Sequence, residues 1–230
     1  MASRVINKCR IFSFPSKEVF LSSIENQKKI LVAMNAEKIL KKDAVLKEII
    51  NNNIGYADGI GAAMALKQKG LDAIKIPGSE FWLDIVNRFY KLKSFYIVGS
   101  SQKVIDRTIE KLKDDFPAIN IVGYRNGYLK DGEKEQLKSD IVEKKPDIVF
   151  VAQGTPAQEY LMNDLMDVHK ALYMGLGGSF DVYTGYKKRA PKFYLDFHLE
   201  WFYRLLKEPT RISRQYILVK FLILLKMRML

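Results

Sequence analysis

The feature that most constrains the fold is a unit repeated along the chain. Each unit has a short apolar run, then a turn rich in glycine or polar residues, then a helical pattern. Strands that alternate with helices in this way form parallel sheets that are covered on both faces through right-handed crossovers. The sequence therefore predicts an α/β fold with a Rossmann-like, mostly parallel sheet and helices on both faces. The predicted strands are Lys29–Met34, Ala73–Ile76, Ser94–Val98, Ile119–Tyr124, Pro146–Ala152 and Ala171–Met174.

The remaining elements follow from capping residues and helical periodicity. A short strand is predicted within Met1–Phe14, and the polar segment Asn126–Gly132 is an insert. The predicted helices are Ser16–Gln27, Lys38–Asn51, a helix that ends near Lys69, Phe81–Lys91, Gln102–Phe116 and Glu133–Lys144.

Five polar or glycine positions follow the predicted strands: Asn35, Gly78, Gly99, Gly154 and Gly175. Ligands of such sheets bind outside the carboxyl ends of the strands, so these positions are expected to converge on one edge. Backbone N–H groups and helix N-termini there can hold phosphate. An isolated glycine is more often a plain turn residue, but five such positions at the ends of the predicted strands favour a nucleotide-like ligand. Neither the dinucleotide fingerprint nor a Walker motif is present in the sequence.

Asp58 lies at the centre of the segment Asn51–Gly61, directly before an apolar helical pattern. Gly59 and Gly61 allow the backbone to approach a ligand closely, which suits an active-site turn with a carboxylate as general base. The alternative is that Asp58 only caps the N-terminus of the following helix. Spacing alone leaves both interpretations open.

Composition limits the classes of site. The single cysteine, Cys9, excludes an internal disulfide and an all-cysteine zinc site, and two histidines argue against a bound transition metal. The stretch Met1–Pro15 lacks the sustained apolar core of a signal peptide. We expect the cytoplasm or the cytoplasmic face of a membrane.

The basic charge is concentrated at one end of the chain. The formal net charge is +12, and residues 187–230 hold eleven Lys/Arg against three Asp/Glu. Helices are predicted over Tyr194–Leu206 and Arg211–Leu225. The apolar part, Tyr216–Leu225, is too short to cross a bilayer and suits peripheral docking on an anionic membrane surface. A core or dimer-contact helix is the alternative, and a homo-oligomer stays open.

We therefore divide the chain into an α/β core, residues 1–190, and a helical membrane-docking appendage, residues 191–230. The charge also suggests a nucleic-acid-binding module, but the sequence has no recognised nucleic-acid motif. Long aliphatic side chains, rather than base-stacking aromatics, separate the basic residues of the tail. No nucleic-acid partner is expected.

Five motifs, taken together in order and spacing, resemble the bacterial WecG/TagA/CpsF family, glycosyltransferase family 26. The resemblance runs from about Leu31 to Tyr216. Two further segments, Val32–Lys38 and Leu172–Gly175, resemble the branch that adds N-acetylmannosaminuronic acid in enterobacterial common antigen synthesis. The five motifs are Tyr56–Gly59, Gly154–Glu159, Gly177–Asp181, Lys188–Pro191 and Glu200–Arg211.

The resemblance implies an inverting transfer from a UDP-sugar to the 4-hydroxyl of N-acetylglucosamine on undecaprenyl diphosphate, with no metal or other cofactor. It places the general base at Asp58. It also places Arg204, Arg211 and Arg214 near the diphosphate, where guanidinium groups suit phosphate contacts. Contact with lipid headgroups alone is the alternative for these arginines.

The resemblance also implies a set of substrate-binding residues. Asn35 and Gln158 match family positions near the sugar, and Lys75 stands where an arginine is common. Teichoic-acid members have threonine where this chain has Ala33, and Ala157 replaces a usual lysine. The difference at Ala33 argues against a donor identical to that of the teichoic-acid members. UDP-N-acetylmannosamine or a UDP-hexose stays open as the alternative donor. The rest of the expected set is Gly78, Ser79, Gly99, Gln153, Gly154, Pro156, Glu159, Gly177, Gly178 and Asp181.

Overall fold

The structure, a computed structural model, describes residues 1–188, 191, 194, 203, 205 and 212–230, and of residues 212–215 only the backbone. Its centre is an eight-stranded sheet with the order β1-β2-β4-β3-β8-β7-β5-β6. Every neighbouring pair is parallel except β1–β2. The predicted parallel sheet is therefore confirmed. The strands are β1 Ser3–Ile6, β2 Cys9–Phe12, β3 Ile30–Met34, β4 Ile54–Ala57, β5 Ser94–Gly99, β6 Asn120–Arg125, β7 Ile148–Ala152 and β8 Leu172–Gly175.

Helices cover both faces of the sheet, as predicted. Buried side chains of α2, α3, α4, α7, α8 and α10 form the core on one face, and those of α1, α5, α6 and α9 form the core on the other. In the described part of the chain the helices with both ends defined are α1 Lys17–Ile24, α2 Ala36–Leu40, α3 Ala44–Asn52, α4 Ile60–Gln68, α5 Gly78–Phe89, α6 Gln102–Asp115, α7 Glu133–Lys144, α8 Ala157–Val168, α9 Ser179–Tyr183 and α10 Ile212–Lys226.

Three sequence predictions near the amino terminus were wrong in detail. The lead-in forms a hairpin of two antiparallel strands rather than one strand. The predicted helix Lys38–Asn51 is two helices, because Asp43 caps α3 by accepting a hydrogen bond from Leu46 N–H at 3.0 Å. Strand β4 was missed, since its four residues lie between polar stretches that read as a turn.

The predicted strand Ala73–Ile76 is an extended segment outside the sheet ladder. Its backbone is nevertheless hydrogen-bonded to the end of β4 and to the segment that follows β2. Ile74 N–H donates to Phe14 O at 3.2 Å, and Ile76 N–H donates to Ala57 O at 2.8 Å. These two bonds lead the chain across the carboxyl end of β4 and into α5.

The tail helix α10 packs against α2 and α4, which confirms a helix close to the predicted Arg211–Leu225. Phe221 is fully buried, and a Cβ atom added to Gly61 of α4 would lie 2.9 Å from its ring. Gln68 Nε2 also donates to Leu225 O at 2.9 Å. One side of α10 thus joins the core, while its other side exposes Tyr216, Val219, Leu222 and Ile223.

The other tail prediction, Tyr194–Leu206, falls largely outside the described residues. Within the part of the chain that the structure describes, no helix has the length and apolar character needed to span a bilayer.

We expect Phe221→Ala to lower the free energy of unfolding by about 3 kcal/mol, since it removes a buried aromatic ring from the α4–α10 contact. Chemical denaturation measures this change. The matched control is Val219→Ala on the same helix, where the side chain is 55% exposed and the expected loss is within about 0.5 kcal/mol. Equal losses for the two variants would contradict the packing described here.

Candidate active site

Asp58 follows directly after β4, at the carboxyl edge of the sheet. Its N–H donates to Met34 O at 3.1 Å, which ties the turn to the neighbouring strand β3. Its side-chain Oδ1 accepts a hydrogen bond from Gly78 N–H at 2.7 Å, so the carboxylate is fixed at the N-terminus of α5. The interpretation of Asp58 as the N-cap of α4 is wrong, because the N-cap of that helix is Gly59.

Gly78 fits this corner because it has no side chain. A Cβ atom there would lie 2.8 Å from Tyr56 Oη and 3.5 Å from Asp58 Oδ1, with Ala33 Cβ also at 3.5 Å. Burial, and then the charge of Asp58, raise the pKa of Tyr56 well above its ordinary value, so the phenol stays protonated. Among the described residues, the Tyr56 hydroxyl has no hydrogen-bond partner.

Asn35 occupies the equivalent position after β3. It is the N-cap of α2, and its Oδ1 accepts a hydrogen bond from Lys38 N–H at 2.9 Å. A Cβ atom on Gly59 would lie 3.5 Å from Asn35 Cβ, so the turns after β3 and β4 are in contact. The structure therefore brings Asn35 and Asp58 together at neighbouring strand ends, whereas the sequence analysis placed only Asn35 at the end of a strand.

The turns after β7 and β8 are joined through one side chain. Gln158 Oε1 accepts hydrogen bonds from Gly154 N–H at 3.1 Å and from Gly177 N–H at 2.9 Å. The next residue, Glu159, is 1% exposed and forms an ion pair with Lys38 at 2.7 Å. Gln158 and Glu159 therefore lie beneath the turns rather than on the open surface of the site.

The turn after β5 makes close backbone contact with β7. Gly99 has a φ of 142°, and an added Cβ atom would lie 2.5 Å from Ala152 O, so this position requires glycine. The following residue, Ser100, donates through Oγ to Asp181 Oδ2 at 3.1 Å. This bond connects the β5 turn with α9, which follows β8.

The insert after β6 contacts the turn after β5. Gly127 N–H donates to Ser100 O at 2.9 Å, and Gln153 Nε2 donates to Gly127 O at 2.6 Å. Tyr128, at the tip, is 73% exposed. Sequence analysis identified this segment only as a polar insert, because nothing in its composition shows which turn it contacts.

Strands β5 and β7 are neighbours, but the helices that follow them cover opposite faces of the sheet. Helix α6 belongs to one core and α8 to the other, so a ligand crevice is expected between the two turns. Gly127 of the insert packs against Gly99 and Gln153 at this place. Neither helix has a side-chain cap at its N-terminus. Such N-termini favour anions, so the crevice suits a phosphate-containing ligand.

Comparison with models of known protein families identifies the family of this chain. Residues 10–230 match the model of the Glycosyl transferase WecG/TagA/CpsF family. The chain belongs to this family. It is therefore a glycosyltransferase, and the match extends over nearly the whole sequence, including the appendage.

In this glycosyltransferase the other residues that the sequence analysis named for the site lie along the same edge of the sheet or outside the described residues. Lys75 is half-buried in the segment that leads to Gly78, and Ser79 lies in the first turn of α5. Pro156 and Gly178 are the N-caps of α8 and α9. Arg204 and Arg211 fall outside the described residues, and Arg214 lies in α10 with its side chain not described.

Sequence analysis assigned no role to Lys38 and Ser100, which the structure places among the site residues. The available signal for Lys38 was its position three residues after a capping asparagine. No group of three or more His, Cys, Asp and Glu residues that could hold a metal ion occurs in the described ranges.

We expect Tyr56→Phe to leave the melting temperature unchanged or to raise it, because it removes a buried hydroxyl that has no partner. Thermal unfolding followed by circular dichroism tests this. The control is Tyr173→Phe, which deletes a hydroxyl that donates to His169 O at 2.9 Å and should cost about 1 kcal/mol. A Tyr56→Phe protein that loses as much stability as the control would show that the hydroxyl is hydrogen-bonded in solution.

Proposed function

We propose that this glycosyltransferase moves N-acetylmannosaminuronic acid from its UDP donor to the 4-hydroxyl of N-acetylglucosamine on undecaprenyl diphosphate, with inversion and without a metal ion. The observation that carries the proposal is the carboxylate of Asp58, fixed by Gly78 N–H on the same edge as the glycine turns. Family membership supports the reaction class. The choice of donor rests on the resemblance of Val32–Lys38 and Leu172–Gly175 to one branch.

The proposed reaction is a single displacement. Asp58 takes the proton of the acceptor hydroxyl while the hydroxyl oxygen forms a bond to the anomeric carbon. The bond between that carbon and the β-phosphate oxygen breaks, and UDP leaves with the electron pair. Attack from the side opposite the leaving group inverts the configuration. The half-buried Asp58 is held by a backbone N–H, so it keeps one orientation as the proton moves.

The strand order supports one orientation of the donor. A base at Asp58 requires the anomeric carbon near β4, so the nucleotide extends along the edge away from β4. The strands β3, β8 and β7 lie between β4 and β5, which is four spacings or about 19 Å. We place the sugar near Asn35 and Asp58, and the uridine in the crevice between the β5 and β7 turns, close to Ser100 and Asp181.

The departing diphosphate needs positive charge where it develops. We propose that Arg204, Arg211 and Arg214 supply it, since guanidinium groups bind phosphate in a bidentate manner. The uncapped N-terminus of α8, at the turn after β7, supports binding of the diphosphate there, while the uridine is placed at the turn after β5.

We expect Asp58→Asn to lower kcat at least about 100-fold, because the amide oxygen can still accept from Gly78 N–H but cannot take the proton. The dissociation constant of UDP should stay near the wild-type value. UDP release, and calorimetry with UDP, measure the two quantities. The control is Glu110→Gln, a carboxylate on the exposed side of α6. Wild-type turnover in Asp58→Asn would remove Asp58 as the base.

The donor is tested by UDP release with a short-chain polyprenyl-diphosphate N-acetylglucosamine acceptor. We expect acceptor-dependent release with UDP-N-acetylmannosaminuronic acid and little with UDP-N-acetylmannosamine or UDP-glucose. Turnover with one of the other two donors would transfer the assignment to that sugar. No release with any donor, from folded protein with lipid present, would refute the substrate class.

We also propose that α10 docks the enzyme on the anionic cytoplasmic face of the inner membrane as a peripheral protein. Leu222 and Ile223 are exposed on α10, Met227 is exposed directly after it, and Lys220 and Lys226 lie on the same helix. Apolar residues bracketed by cations favour such surfaces. The docked helix would bring the lipid-linked acceptor to the enzyme.

The double variant Lys220→Glu/Lys226→Glu should weaken sedimentation with phosphatidylglycerol vesicles by about tenfold or more, since each lysine near such a surface contributes about 1 kcal/mol. The control, Lys91→Glu/Lys93→Glu, makes the same change in net charge near the end of α5. Equal loss in both variants would indicate a general charge effect. Unchanged binding together with concentration-dependent self-association would instead assign α10 to a contact between copies.

A further inference from the structure

The most deeply buried ion pair among the described residues lies beneath the active-site edge. Lys38 Nζ and Glu159 Oε1 are 2.7 Å apart, and their side chains are 5% and 1% exposed. Lys38 belongs to α2, after β3, and Glu159 to α8, after β7, so the pair bridges over β8. Burying two charges is costly, and apolar replacements are often as stable, so such a pair is weak support for stability alone.

The pair continues into the turns of the site. Glu159 Oε1 accepts hydrogen bonds from three donors: Lys38 Nζ, Thr155 Oγ1 at 3.1 Å and Gln158 Nε2 at 3.2 Å. The bond to Gln158 fixes which end of its amide faces Glu159. The amide oxygen is thereby presented to Gly154 N–H and Gly177 N–H.

Space around Gln158 is limited as well. A Cβ atom added to Gly175, the last residue of β8, would lie 2.4 Å from Gln158 Nε2. The amide therefore lies directly against the end of β8. The glycine at position 175 is what lets the network cross this strand.

At its other end the network reaches the turn after β3. The N–H of Lys38 donates to Asn35 Oδ1 at 2.9 Å, while the ammonium group of the same residue is bound by Glu159. Lys38 thus holds Asn35 through its backbone and α8 through its side chain. One connected set of groups spans the turns after β3, β8 and β7, which are adjacent in the sheet.

We propose that Lys38, Glu159 and Gln158 form a positioning clasp, which sets the distance between the Asn35 turn and the Gly154 and Gly177 turns. In the donor orientation proposed above, on which this inference rests, Asn35 lies at the sugar end and the two glycines lie at the phosphate end. The clasp therefore holds both ends of the donor site in register. It acts through the turns and does not touch the reacting atoms.

The double variant Lys38→Met/Glu159→Gln tests the clasp. It removes both charges, and the new amide oxygen can still accept from Thr155 and Gln158, so no charge is left buried without its partner. The single variant Lys38→Met leaves the Glu159 carboxyl buried and should unfold at a lower temperature. We expect the double variant to regain most of that stability.

Two measurements then separate positioning from stability. Hydrogen exchange at the Gly154 and Gly177 amides should be several-fold faster in the double variant than in wild type, at unchanged exchange of Phe150 in the centre of β7. The dissociation constant of UDP, from calorimetry, should rise about tenfold. The control is Lys111→Met, which removes an exposed pair with Asp115 at 3.3 Å and should change neither measurement.

The outcomes are distinct. Wild-type exchange at both glycine amides in the double variant would overturn the clasp, whatever the ligand. Faster exchange with an unchanged UDP affinity would overturn its role in holding the donor. Faster exchange in a protein whose wild-type form binds no UDP would support the clasp and refute the proposed donor.

Discussion

Parallel hydrogen bonding between neighbouring strands is the constraint on which the whole site depends. The register pairs Met34 with Ala57 across β3 and β4, and Gly99 with Ala152 across β5 and β7. The residues that follow these positions therefore emerge side by side at one edge. A slip of one residue in either ladder would turn the following side chain to the opposite face. The buried apolar pattern on both faces of each strand is what prevents such a slip.

Much of the fold could be predicted because the apolar runs of β5, β7 and β8 are compact and are bounded by clear turns. The helix Glu133–Lys144 was predicted at its observed bounds. Strand β4 could not be found, because only four residues, Ile54–Ala57, pair between β2 and β3, and one of them is glycine. The division between α2 and α3 was missed because an aspartate inside a helical pattern does not reveal that it caps a new helix.

For the candidate site residues, the sequence predicted positions along the chain better than contacts. Asn35 could be placed at the end of a strand, but Asp58 could be placed only in a turn, because the strand before it was not found. The partners of Gln158 and Glu159 could not, because Lys38 is 121 residues from Glu159 in the chain. A sequence motif does not show that the glutamate is 1% exposed and paired with a lysine, because burial depends on residues far away in the chain.

The contact between Gly61 and Phe221 joins α10 to α4, the helix that begins at the edge of the sheet where Asp58 lies. Gly61 is the second residue of α4, a helix that begins two residues after Asp58 and ends beside the last turns of α10. The ring of Phe221 therefore packs against the helix that begins two residues after Asp58. Helix α4 therefore contacts α10 at both of its ends, through Gly61 near Asp58 and through Gln68 near Leu225.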